Sequence, residues 1–540
     1  MSHFRIPLLA LLAVATACSD NPVRAPSPNE KIPVAPRAAV NPPPGASLTV
    51  MVDVPASMRS SPFNVDRFLT VPPNFAISVF ARIGGARFMT VAANGDVFVS
   101  NPGAGSVYLI RPGAAGADPT VFTWASGLYK PHDIVFATVG SITYVYVAEG
   151  DKVARYTYNA SSTTGQGRQV VISGLPNAST PDLGGSYGHE LKNLAIDSNG
   201  VLYLSIASTC NVCLSDTQSD PVRAAIYTYN ADGTNPALFA RGIRNAEGLA
   251  ILPNTSDLWV VINNRDNIAY PFHNSWDGDG TDDYGKVMQS YVDNHPPDEF
   301  TRVRSGGNYG WPFCNPNPDA GYDNMPFDRD VEMNADGTRL DCSTADRINK
   351  GIQAHSAPLG FVFLQNTNAP AAYRDGAIVA LHGSWNRAAK TGYKVIDFPW
   401  DPVTQLPGNQ IDLVSGWLVG GTNWGRPVDV AVAPDGGIYI SDDQSGTIYK
   451  LTYSSAPPPP PASVASFTSS CTGFSCSFNG SGSSNATSWS WTFGDGGSAS
   501  GATVSHTYSK KGGYTVTLST QPSGPQSTAS KVIRCNPKGC

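Results

Sequence analysis

Charge is scarce in this sequence: Asp, Glu, Lys and Arg make up 14% of 540 residues, with a formal net charge of -6. The Lys and Arg residues are scattered, which excludes a phosphate-tracking nucleic-acid surface and a polybasic contact with anionic lipid. Long apolar runs are missing too. The strongest, residues 6–14, falls short of the about 20 residues that a membrane helix needs. Cysteine spacing excludes two further classes. The CNVC of Cys210 and Cys213 has no second CxxC to complete a zinc site, and Leu214 stands where c-type haem attachment requires His. A loop staple is the reading left for that pair. Histidine numbers only 8, so where each one falls carries weight.

What is present in quantity is turn-forming and aromatic: Gly 53, Pro 44 and 10% aromatics indicate many short strands joined by turns. A chain of 540 residues has room for two or three domains with cores of their own. Residues 1–18 read as a secretory signal: Arg5, the apolar run, then Ala15, Thr16 and Ala17 before Cys18. Small residues before a cysteine resemble the bacterial lipobox and make Cys18 the lipidated residue of a periplasmic or cell-surface protein. Ala15 stands where that motif usually has Leu, so ordinary cleavage and release is the alternative. Setting Cys18 aside leaves eight of the nine cysteines, an even number that suits disulfides in an oxidising compartment. Cys210 is expected to pair with Cys213 and Cys314 with Cys342. The order among Cys471, Cys476, Cys535 and Cys540 is open. Residues 19–60 are Pro- and Ala-rich and read as an extended tether. The tract at 455–462 marks a second boundary, so the globular regions are 61–454 and 463–540.

The middle region repeats a strand-turn-strand unit. MTVAANGDVFVSN begins at Met89, DIVFATVGSITYVYVAEG at Asp133, NLAIDSNGVLYLSIAS at Asn193, GLAILPNTSDLWVVINN at Gly248, and VDVAVAPDGGIYISDD at Val428. A fifth unit spans 360–385, and 264–308 reads as a loop excursion. Antiparallel units recurring about six times, with AsnGly and AspGly turns between alternating apolar residues, predict an all-β chain whose main body is a six-bladed β-propeller. Seven blades is the alternative count. Propeller loops converge at one end of the central channel, so polar residues at matching places in the repeats meet there. His132, His189, Arg244 with Asn245, His355 and Arg426 each stand just before a unit's first strand, and His382 follows a second strand. Rare titratable groups at repeat-equivalent positions point to a site.

The tail carries WSWTFGDGG from Trp489 and VSHTYSKKGGYTVTLST from Val504. These resemble a PKD domain, an immunoglobulin-like β-sandwich that serves as a spacer or binder, sometimes for polysaccharide. His506 reads as structural there. In the main body, GHELKNLAIDSNGVLYLSIAS, RAAIYTYNADGTNPALFARGIRNAEGLAI, DEFTRVRSGGNYGWPFC, AHSAPLGFVF, ALHGSWNR and WGRPVDVAVAPDGGIYISDD resemble the glucose/sorbosone dehydrogenase family. That resemblance implies a six-bladed quinoprotein using pyrroloquinoline quinone (PQQ) and calcium to oxidise a sugar, polyol or aldose, with an external electron acceptor. It assigns His189 as the general base that takes the hydroxyl proton while hydride passes to the quinone. Arg244 and Asn245 match the pair on the quinone oxygens, and Arg426 faces its carboxylates. His355, Trp385, Asn386, Arg387 and Trp424 lie in family motifs at the same rim. Backbone oxygens near Arg265 and Asp266 are implied for calcium. Asp277, Asp279, Asp282 and Asp283 in WDGDGTDDYG either form a second calcium loop or a solvated acidic loop, since the closing Glu of an EF-hand is missing. Two other readings of the chain are a non-catalytic propeller that binds carbohydrate or protein, and a calcium-dependent propeller hydrolase such as a lactonase.

Overall fold

The computed structural model describes residues 43–114, 117–401, 403–454, 463–521 and 527–540. The leader and Cys18 lie outside the described residues. Among those described, no helix is long and apolar enough to cross a membrane.

Strands form where the sequence alternates apolar and polar side chains or stays apolar on both faces. Phe75–Arg82 buries every second residue, whereas Val97–Asn101 and Leu258–Ile262 are buried throughout. Among the described residues of the main body, six successive sheets result, antiparallel except where the two-residue strand Gly307–Asn308 pairs in parallel at the edge of the third. Their first strands are Met89–Val91, Ile134–Val139, Leu194–Ile196, Ala246–Ile251, Pro358–Phe363 and Pro427–Val432. Each first strand packs beside that of the next sheet, and the sixth packs beside the first. Carboxylates latch neighbours together: Leu194 N donates to Asp133 Oδ2 (2.8 Å), and Met89 N donates to Asp429 Oδ2 (2.7 Å), joining the sixth sheet to the first. The sixth sheet is completed by Phe75–Arg82, which pairs with Thr447–Tyr453 from the far end of the region. Apolar residues between adjacent sheets form the cores, as where Ala81, Val97 and Val99 meet Tyr439 and Ile448.

Two sequence readings need correction. The tether reading over 19–60 fails from Leu48 onward. LTVMVDV has strand periodicity, Leu48–Met51 pairs with Phe68–Val71, and Val52 and Val54 are buried against the sixth sheet's core. The excursion at 264–308 also contains regular structure: Asp298–Val303 is the third strand of the fourth sheet, and the larger insertion follows it before Ile348–Ile352 supplies the fourth. Charged residues in DEFTRV disguise a buried strand, since Asp298 and Glu299 are both buried.

The tail forms a three-stranded sheet and a four-stranded sheet. Phe478, Trp491, Phe493 and Tyr508 fill the space between them. His506 stacks on Phe493 and holds Asp495 (2.7 Å), a structural role as expected. The disulfides are Cys210–Cys213, Cys314–Cys342, Cys471–Cys476 and Cys535–Cys540, which settles the tail order.

Candidate active site

A first strand's start, a second strand's end and a third strand's start lie at one edge of an antiparallel sheet. This rule gathers side chains from several sheets around a cavity of about 140 Å³ lined by His189, Arg244, Asn245, Asp266, His355 and Trp385 among others. Six of the residues singled out from sequence thus meet.

His189 precedes the third sheet. Its Nδ1 lies 2.9 Å from the Ser208 carbonyl and 3.0 Å from the Ser208 hydroxyl. That hydroxyl donates to the Cys210 carbonyl (2.9 Å), so the network assigns the ring proton to Nδ1. Nε2 is left with a lone pair and no partner among the described residues. Burial, followed by the Arg244 charge, lowers the imidazole pKa to about 4, so the ring is neutral at neutral pH.

Arg244 is buried and held from three sides. Nε donates to the Asn211 carbonyl (3.1 Å), Nη2 to Asn211 Oδ1 (3.0 Å), and Nη1 to the Asn263 carbonyl (3.2 Å). Asp266 lies 3.5 Å from Nη2. Burial lowers its pKa to about 10, which leaves the group cationic at neutral pH. Asn211 belongs to the CNVC loop, so the staple read from sequence fixes the residue that fixes Arg244. Asn211 also donates to the Asp266 carbonyl (2.8 Å) and accepts from the Asp266 amide (2.8 Å). The Asp266 carbonyl, one of the backbone oxygens expected near calcium, is therefore bonded to Asn211, and Asp266 is a lining residue of the cavity.

Asn386 Nδ2 (3.3 Å) and His355 Nδ1 (3.5 Å) flank Asp266 Oδ1. His355 Nε2 donates to the Val292 carbonyl (2.8 Å). Burial opposes charging this ring, but the Asp266 and Asp298 carboxylates outweigh it and raise its pKa. Asp298 accepts from the amides of Asn264 (3.0 Å) and Ala357 (2.9 Å), and burial raises its pKa to about 6. Asn245 donates to buried Glu247 (3.1 Å). Trp385 stands at the rim with 71% of its surface exposed.

Other expected residues lie beside the cavity or away from it. Arg426 donates to the carbonyls of His382 (3.1 Å) and Gly383 (3.4 Å), the latter a lining residue. His382 holds Asp443 (2.9 Å), which pairs with Arg87, and Arg87 reaches His132 (3.4 Å) deeper in the molecule. Arg387 bonds the Ala389 carbonyl (3.0 Å) within its own loop. Trp424 sits under Arg67 and bonds the Gly416 carbonyl (2.9 Å), so it belongs to the packing of the sixth sheet. The Arg265 side chain turns to Asp330 and Glu332. Carboxylate oxygens of Asp277, Asp279 and Asp283 converge, while Asp282 pairs with His273 (2.9 Å) instead. Sequence reasoning missed Asn211, Asn263, Asn264 and Asp298. The second-strand end at Ile262 and the third-strand start at Asp298 mark the same sheet edge, and extending the repeat alignment to those two places finds three of the four.

A protein of Borreliella burgdorferi is 25% identical over 394 residues, covering 71% of this chain and 91% of its own. The pyrroloquinoline quinone-dependent pyranose dehydrogenase of Coprinopsis cinerea is 24% identical over 352 residues, covering 58% of this chain and 45% of that protein. Among solved structures, the holo PQQ domain of Coprinopsis cinerea pyranose dehydrogenase superposes with a TM-score of 0.57 at 20% identity, covering 71% of this chain and 97% of that one. The calcium structure of the Trichoderma reesei family AA12 enzyme gives 0.56 at 19% identity, covering 72% and 97%. These likenesses show the fold. Residues 69–454 match the TrAA12-like family and 456–536 match the PKD domain, and the chain therefore belongs to the TrAA12-like family, with a PKD domain behind its main body.

Proposed function

We propose that the protein is a PQQ- and calcium-dependent dehydrogenase that oxidises a sugar or related polyol or aldose, on a six-bladed propeller, with His189 as general base. The observation that carries this reading is His189 itself: a neutral imidazole with Nδ1 pinned and Nε2 free beside a buried cation. The donor set fits the cofactor. Buried Arg244 retains a second N–H on Nη1 for a flat, oxygen-rich anion, Asn245 lines the same cavity, and Arg426 bonds the carbonyl of the lining residue Gly383. Asp266, Asp298, Asn263 and Asn264 are the oxygen donors at hand for calcium, a hard cation that takes such ligands.

When bound, PQQ supplies the two-electron acceptor for hydride. The chain's own part is acid–base and electrostatic. His189 Nε2 accepts the substrate hydroxyl proton, and the Ser208 carbonyl opposite Nδ1 stabilises the imidazolium that forms. Arg244 holds positive charge where negative charge develops, already oriented by Asn211 and Asn263. Asp266, restrained by Asn386 and His355, keeps Arg244 and the cavity floor in register. The test is reconstitution of the purified protein with PQQ, with and without calcium, following dye reduction over a panel of aldoses and pyranoses. Calcium-dependent reduction is expected, and absence of PQQ binding overturns the reading.

A further inference from the structure

A second cavity, of about 210 Å³, opens beside the third sheet and is lined by Arg223, Arg241, Arg339, Trp311 and Phe313 among others, with no acidic residue in its lining. Arg223 precedes the strand Ala225–Asn230, and Arg241 ends its partner strand Ala237–Arg241. The remaining residues come from the insertion tied by the Cys314–Cys342 disulfide. We propose that this cavity binds a small ring-bearing carboxylate, of the class of a sugar acid or an aryl acid.

Three features carry the assignment. Arg223 is buried and fixed by Asp182 (2.7 Å) and Asp216 (3.4 Å), yet its Nε is buried with no partner at all. A buried donor left unmatched is costly, and an acceptor that the proposed ligand brought to it would relieve that cost. Arg241 and Arg339 are exposed, and neither guanidinium has a hydrogen bond or ion pair among the described residues. Asp336, whose charge feels Arg339, is engaged by Thr338 instead. Two arginines with unpaired guanidinium forks lining one cavity match a carboxylate in shape and charge. Trp311, 4% exposed, and Phe313 give a ring flat apolar walls. The Trp311 indole N–H is fixed on the Asn211 carbonyl (3.2 Å), the same oxygen that takes Arg244 Nε. The two cavities are thus tied through Asn211 but have no lining residue in common.

Isothermal titration of the full-length protein without added PQQ tests this independently of the dehydrogenase reading. The ligands are glucuronate and benzoate, each paired with its uncharged amide. At least one acid is expected to bind with one site per chain, at least about tenfold tighter than its amide. Which acid binds distinguishes the sugar-acid source from the aryl-acid source. The double substitution Arg241→Gln and Arg339→Gln is expected to weaken that binding by about tenfold or more. Both side chains are exposed and unpaired, so the thermal melt of this variant should match the parent. Binding that survives the double substitution, equal affinity for acid and amide, or no binding of either acid at millimolar concentration overturns the proposal.

Discussion

At the scale of single residues, the proposed chemistry turns on which histidine nitrogen is free. His189 and His355 border the same cavity but are set in opposite senses. His189 is neutral, with burial and Arg244 against its charge, whereas His355 is biased toward charge by Asp266 and Asp298. One is thereby suited to accept a proton and the other to hold an anion in place. For His189 the folded pKa lies below the free value, so the ring stays unprotonated until the pH falls toward about 4. An NMR titration of the protein without added cofactor should show that midpoint, and Arg244→Ala should move it upward by removing a repelling charge. A midpoint near the ordinary histidine value would contradict the burial of the ring. His189→Ala should lower turnover by on the order of 10²–10⁴-fold while PQQ affinity measured by titration stays within a few-fold. Arg244→Ala should do the reverse first, losing the cofactor before chemistry can be measured.

At the scale of elements, the loop of Cys210 and Cys213 shows how a short staple acts on a site. Closing so few residues constrains the unfolded chain little, so its worth to global stability is small. Its effect falls on Asn211, which bonds Arg244, Asp266 and Trp311 together. Cys210→Ser with Cys213→Ser should therefore weaken PQQ binding by on the order of tenfold, as loss of an orienting partner does elsewhere. The melting temperature should change by only a few degrees. The sequence made the staple legible but not its purpose, because Asn211 meets Arg244 only after two separate sheets pack. The strand Lys394–Asp401 poses a different problem. Asp397 is fully buried, and neither carboxylate oxygen has a partner. Burial raises its pKa to about 8. A carboxyl whose folded pKa lies above its unfolded value contributes its full stability below the unfolded pKa, and loses it as pH rises through the folded one. Asp397→Asn should thus gain on the parent between about pH 4 and pH 8, by at most roughly 1.4 kcal/mol per pH unit, and level off above. Denaturant melts across that range check the slope, and a pH-independent difference would show that the carboxyl titrates normally.

At the scale of the whole molecule, much was legible because the repeats place like residues alike. His132, His189, Arg244, His355 and Arg426 stood before first strands in the sequence, and all precede first strands in the structure. The equivalence could not say how deep each residue lies, and so Trp424 reads as a rim residue although it packs under Arg67. Nor could it reveal closure, since the pairing of Phe75–Arg82 with Thr447–Tyr453 joins residues more than 300 positions apart. Closure is nonetheless what the site depends on. Arg87 and Asp443, from the first and sixth sheets, are bridged at 2.9 Å, and Asp443 carries His382 beside Arg426. Deleting residues through Arg82 removes the outer strand of the sixth sheet and exposes Tyr449 and Leu451 on its partner strand, which are buried in the intact protein. Such a truncation should abolish cooperative thermal unfolding and PQQ binding together. Removing residues 463–540 should leave both intact, because among the described residues no strand of the tail pairs with a strand before it. Circular dichroism melts with PQQ titration on the two truncations separate these outcomes. A cooperative melt without the Phe75–Arg82 strand would mean that the sheets stay together through their facing cores alone, and that the long-range pairing is dispensable.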